Sequence, residues 1–175
     1  MTPPEPINID LLTFIKTGKF DYIKLGQTKE WIIENFPDPD DTYQDNYNSP
    51  IWFYGNIEFH FHEDEKLFLI YSDYIDTLDG RQSLRLQKWI FDEPDKLTLD
   101  NVIRHLTKER VDFKIEYRTL STGDTTAILE IIASHVNLSF ALPENDDEGY
   151  EQYLQKLKDV DSNLFRLYSF SLTTG

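Results

Sequence analysis

The chain has 175 residues, no cysteine, and a net charge of −15 from 32 acidic and 17 basic side chains. A domain of this length buries roughly 70% of its unfolded surface and stands without staples; the missing thiols exclude a disulfide framework, Cys-ligated zinc and a thiolate nucleophile. The acidity is spread evenly through the chain and repels phosphate backbones and anionic lipid, which argues against nucleic acid and membranes and favours a basic protein partner.

Residues 1–7 are Pro-rich and read as an N-terminal arm. They carry neither the basic stretch nor the apolar run of a signal peptide, and no segment reaches the about 18 apolar residues of a membrane helix. A cytoplasmic location is expected. Asn8 is placed to cap a helix over 9–17, with Leu11, Leu12 and Ile15 on one face and Gly18 at its end. Thr28 is placed to cap a second helix carrying Trp31, Ile32, Ile33 and Phe36, which must stop near Pro37.

Residues 38–50 read as a polar loop. Asp38, Asp40, Asp41 and Asp45 crowd it, but their spacing departs from a calcium loop and solvated carboxylates are the simpler reading. From Ile51 the period becomes two. Gly55-Asn56 fits a two-residue hairpin turn with glycine first, setting Tyr54 opposite Ile57 and Trp52 opposite Phe59. Trp52, Tyr54, Ile57, Phe59 and Phe61 then form the core face, and Phe53, Glu58, His60 and His62 point away. A third strand over 67–72, a polar connection with an Asp79-Gly80 turn, and a strand around 84–91 follow.

Thr98 is placed to cap a third helix with Leu99, Val102, Ile103, Leu106 and the stem of Arg110 on one face. Phe113, Ile115 and Tyr117 alternate with Lys114, Glu116 and Arg118, as in a half-exposed strand. Ser121–Asp124 turns the chain into two strands, 127–133 and 136–141, hinged at Ser134-His135. A short amphipathic helix presenting Tyr150, Tyr153, Leu154 and Leu157 is expected within 142–163. The closing stretch 164–172 is apolar on both faces, so it belongs inside a sheet rather than at an edge.

Several signals recur in order. Ile57-Glu-Phe-His-Phe and Leu67-Phe-Leu-Ile-Tyr-Ser are echoed by Val136-Asn-Leu-Ser-Phe and Leu164-Phe-Arg-Leu-Tyr-Ser, each set after a threonine helix start. This predicts an α+β single domain over 1–175 made of two tandem pseudo-repeats, about 19–91 and 97–173. These form a mainly antiparallel sheet with helices on one face and the other face free as a platform.

No cluster demands a particular chemistry, and no cofactor is expected. His60 and His62, two apart on a strand with Glu58 beside them, are the best metal candidates; alternation alone also explains them as polar residues on the wet side of a hairpin. No nucleophile elbow or glycine-rich phosphate loop occurs. The aromatic content, 3 Trp, 10 Tyr and 12 Phe, places Tyr and Trp among carboxylates, a pairing that interfaces use for anchorage.

The Leu25-Gly-Gln-Thr28 helix entry, Trp52-Phe-Tyr-Gly-Asn-Ile-Glu-Phe-His-Phe61 and Leu67–Ser72 together resemble small uncharacterised bacterial proteins of the immunity type. In architecture the tandem pattern is similar to β-lactamase inhibitory protein and the outer-membrane assembly lipoprotein fold. The leading expectation is a non-catalytic, acidic protein of immunity or inhibitor type that masks a basic effector; the exposed hairpin face, Phe53, Glu58, His60 and His62, and the segment with Asp73, Tyr74 and Asp76 would be its contact surface. A metal-assisted hydrolase or small-ligand carrier using His60, His62 and nearby carboxylates is the competing expectation. A homodimer pairing its final strands across a two-fold axis is the third.

Overall fold

In the computed structural model, which describes residues 5–44, 49–119, 121, 124–142 and 162–174, the alternating segment from Ile51 forms the expected hairpin. Its strands are β3 (Pro50–Tyr54) and β4 (Ile57–Phe61), with Trp52 opposite Phe59 and Tyr54 opposite Ile57. Gly55 has φ +63°, the backbone that a glycine-first turn requires. A Cβ at Gly55 would lie 2.0 Å from the Asp79 carbonyl oxygen, so close approach as well as conformation demands glycine there. The loop holds the turn through Asn56 N–H to Asp79 O (3.1 Å), Asp79 N–H to Asn56 Oδ1 (2.8 Å) and Asn56 Nδ2 to Thr77 O (2.7 Å).

Among the described residues the hairpin belongs to an eight-stranded antiparallel sheet. Its other strands are β2 (Asp41–Gln44), β5 (Leu67–Ser72), β7 (Phe113–Thr119), β8 (Thr125–Ile131), β9 (Asn137–Ala141) and β10 (Arg166–Thr173). The order is β2-β3-β4-β5-β10-β9-β8-β7. β10 therefore lies between β5 and β9, inside the sheet as its apolar faces required, and with both edges occupied it cannot pair across a dimer axis.

Several sequence expectations need correction; the strand expected around 84–91 ends at Gln87, and Trp89–Asp92 forms a 3-10 turn. The segment before the first helix is not all arm: Ile7–Asp10 forms β1, paired in parallel with β6 (Leu84–Gln87) outside the main sheet. Helix α1 (Leu11–Thr17) is capped by Asp10 rather than Asn8, the Asp10 carboxylate accepting from Leu12 N–H (3.0 Å) and Thr13 N–H (3.3 Å). Within the presumed loop at 38–50, four exposed residues form the edge strand β2. Gly18 ends α1 at φ +70° as expected, its N–H donating to Phe14 O. The helix expected to carry Tyr150 and Leu157 lies outside the described residues.

Thr28 and Thr98 cap α2 (Lys29–Asn35) and α3 (Leu99–Lys108), accepting from Trp31 N–H and Asn101 N–H. The α3 face is as read for Leu99, Val102 and Leu106, which are buried, but Arg110 turns out to solvent at φ +56° beyond the helix end. On α2 only Ile32 and the following Phe36 are buried; Trp31 and Ile33 are exposed. Each cap also touches the sheet. Thr28 bridges Lys66 and Thr98 bridges Arg166. Around them Lys29 N–H donates to Glu65 O and Leu67 N–H to Gln27 O, while Leu99 N–H donates to Phe165 O and Leu167 N–H to Leu97 O. These contacts set Leu67 in the place of Leu167. The sequence match instead set it against Leu164, which is exposed in a 3-10 turn before β10.

Buried side chains of α1, α2 and α3 join the inner row of the sheet in one apolar cluster. Phe59 shows its density: its ring centre lies 4.8 Å from Tyr54, 5.5 Å from Phe20 and 6.2 Å from Phe36. Phe14 of α1 meets Phe170 of β10 edge to face at 5.7 Å. Burying each such ring stabilises the fold by roughly 1.5–3 kcal/mol.

Candidate protein-binding face

The opposite row of β3, β4 and β5 carries Ile51, Phe53, Glu58, His60, Leu69 and Tyr71. None of them joins the core cluster, and all are half-buried. Cross-strand register brings them together: Phe53 faces Glu58, Glu58 faces Tyr71, and His60 faces Leu69. A register shift next to His60 leaves Phe68 as an extra residue in β5. Phe68 sits against two histidines. The His62 ring stacks on it at 4.0 Å and 15°, and His60 meets it edge-on at 6.2 Å. His60 in turn meets Tyr71 edge-on at 6.4 Å. A continuous aromatic row, His62–Phe68–His60–Tyr71, results.

Carboxylates flank this row. Glu58 Oε2 lies 2.6 Å from His60 Nε2, the two side chains only 17% and 19% exposed. The pair is thus recessed between its neighbours rather than standing free, as alternation alone suggested. The Tyr71 hydroxyl is pushed up to about 12 by burial, then by the charges of Asp73 and Glu58, the neighbouring Tyr168 and a hydrogen bond with Asp73. Tyr71 therefore stays neutral, hydrogen-bonded to Asp73 with the Glu58 carboxylate nearby. Sequence reading singled out Phe53, Glu58, His60 and Asp73, which meet here, and counted Tyr71 among the tyrosines that lie beside carboxylates. It did not place Tyr71 over Glu58, although a strand set against β4 must lay alternate side chains over Glu58 and His60, and it missed Phe68.

The remaining candidates lie at the ends. His62 follows β4 beside Phe68. Tyr74 is 54% exposed, and Asp76 lies in the 3-10 turn 75–77, anchored by buried Ile75. That turn adjoins the hairpin tip through Asn56 and Thr77, and Ser72 Oγ donates to Asn56 O at 2.7 Å. Elsewhere, Tyr54 donates to Pro37 O (3.0 Å), its hydroxyl well above the usual phenol range through burial and the charges of Asp38 and Asp40.

Among the described residues, no three His, Asp or Glu side chains converge as metal ligands. His62 is engaged with Phe68, while Glu58 and His60 satisfy each other. A cleft of about 620 Å³ opens elsewhere, between Gly18, Lys24, Glu130, His135 and Thr173. It includes none of the predicted site residues. Glu130 there accepts from His135 (2.9 Å) and pairs with Lys114 (2.9 Å), which hold its carboxyl below the ordinary range. No described helix is long and apolar enough to cross a membrane. Comparison with known protein families, curated proteins and solved structures finds no match for this chain.

Proposed function

We propose that the chain is a non-catalytic, acidic binding protein of the immunity or inhibitor type, which masks a basic protein partner. The observation that carries this reading is the row His62–Phe68–His60–Tyr71 with Phe53, bordered by Glu58 and Asp73, on the sheet face opposite the buried helix side chains. Aromatic rings supply contact area at low entropic cost, and carboxylates orient a cationic partner. The net charge of −15 adds a long-range field that speeds encounter with such a partner. Tyr74 and Asp76 extend the contact along the hairpin tip.

The face rests on a scaffold that we read as a duplicated unit of one helix and four strands. Supporting this are the matched cap contacts of Thr28 and Thr98 and the mirrored strand order on either side of the β5–β10 pair. Two such units share one core that neither fills alone.

The test is capture of the partner from the native host, followed by association kinetics across a salt series. Binding weakens as salt rises, and Glu58→Lys and Asp76→Lys each slow association, Asp76→Lys while leaving the thermal midpoint near that of the parent. Association rates indifferent to both substitutions would remove this face as the docking surface.

A further inference from the structure

We propose that β7 is a self-association edge, pairing antiparallel with β7 of a second copy about a two-fold axis through Ile115. Among the described residues β7 ends the sheet, with β8 on one side and no strand on the other. At seven residues it is longer than β2, the four-residue strand at the opposite edge. Unpaired edges of this length are templates for another strand.

The direction of its backbone groups follows from the register. Asp112 faces Ile132 in line with the β7–β8 pairing, and Ile132 N–H donates to Asp112 O at 3.0 Å. Hydrogen-bonded pairs alternate along an antiparallel ladder. Residues 112, 114, 116 and 118 therefore turn their amides toward β8, and Phe113, Ile115, Tyr117 and Thr119 turn theirs to the open edge. A second copy can engage only through these odd-numbered residues.

That restriction leaves few registers, and charge chooses among them. With Ile115 opposite Ile115 of the copy, Phe113 pairs with Tyr117, Lys114 faces Glu116 and Asp112 faces Arg118. Moving by one allowed step in one direction sets Lys114 against Lys114. The step in the other direction sets Glu116 against Glu116 and Lys114 against Arg118. Larger shifts shorten the ladder. Like charges directly opposite destabilise a strand pair, and opposite charges support it.

The side chains are available for this exchange. Lys114, Glu116 and Arg118 are 65%, 63% and 58% exposed, and their present pairs, Lys114 with Glu130 and Arg118 with Glu116, are surface ones that hold little energy. Lys114 can keep Glu130 while receiving Glu116 of the copy. On the helix side Tyr117, 56% exposed against Phe165, gains a cover from Phe113 of the copy. The interface is isologous, so every contact occurs twice.

Sedimentation velocity of the full chain, at concentrations up to about 1 mM to register weak pairing, tests this. The parent shows a species with the mass of two chains, at a fraction that rises with concentration. Lys114→Glu and Glu116→Lys, each alone, set like charges opposite and return the single-chain mass. Mixing the two single variants restores the two-chain mass as a heterodimer, as does the double variant Lys114→Glu/Glu116→Lys with itself. A parent that stays at single-chain mass throughout overturns the proposal, as does a dimer that either single variant leaves intact. Restoration on mixing also shows that the single variants were folded. None of these substitutions lies on the face of β3–β5, so failure here leaves the masking role standing.

Discussion

Replacing Gly55 by alanine isolates the contact that fixes the tip of the β3–β4 hairpin. A side chain at φ +63° costs about 1–2 kcal/mol in the left-handed region. The new Cβ would sit 2.0 Å from Asp79 O and 2.7 Å from its carbonyl carbon, both backbone atoms, so the 79–80 loop must withdraw. Withdrawal breaks the bonds between Asn56 and Asp79, at 3.1 Å and 2.8 Å, worth about 1 kcal/mol each. The expected loss is about 3–4 kcal/mol, a large share of a marginal fold, read from urea unfolding by tryptophan fluorescence with unchanged slope. Gly55→Asn separates the causes. Asparagine tolerates the left-handed backbone but brings the same Cβ, so it should recover only about 1 kcal/mol of that loss. If Gly55→Asn unfolds at the parent's midpoint, the abutting loop is not what demands glycine, and the reasoning fails.

Two further substitutions follow from the same geometry. Asp10→Ala removes the acceptor for the first amides of α1 and should cost about 1 kcal/mol. Asn8→Ala, at an exposed position of β1, should stay within about 0.5 kcal/mol; equal losses at both would return the cap to Asn8. Tyr71 ionises only near pH 12, against an ordinary value of 10.0. The unfolded chain therefore loses this proton first, so Tyr71 leaves stability untouched below about pH 10 and lowers it progressively between there and about 12. Tyr71→Phe should reduce the decline over that interval and delete one late phenolate step, earlier than that of Tyr54, from the absorbance titration. Loss of a step in the ordinary phenol range instead would show that burial, Asp73 and Glu58 do not raise this hydroxyl.

Much of the sheet was legible because its signals are local. Gly55-Asn56 between alternating segments admits one register, and Thr28 and Thr98 stand where a cap must. The burial of Trp52, Tyr54, Ile57, Phe59 and Phe61 follows from period two alone. What was missed is nonlocal or too short to show a period. Ile7–Asp10 holds four residues and pairs in parallel with a strand more than seventy positions later, which no local pattern announces. β2 is polar and wholly exposed, so it lacks the alternation that marks a strand. Asn8 and Asp10 are equally good caps in sequence, and the strand formed by Ile7–Asp10 decided between them. On the candidate face, alternation selected Phe53, Glu58 and His60 correctly as neighbours. The bulge that turns Phe68 toward them changes the local period and escapes any pattern of two.

The place of β10 has a consequence for the order of assembly. Among the described strands β10 alone joins β5 to β9, so without residues 166–173 the others make two separate sheets. Both sheets then expose an inner edge to stray pairing, and joining them requires contacts between β5 and β10 nearly a hundred residues apart. Such long-range closure is slow and leaves intermediates open to aggregation. Disruption of residues 166–173 should therefore divide the molecule into two unsealed halves rather than trim its surface.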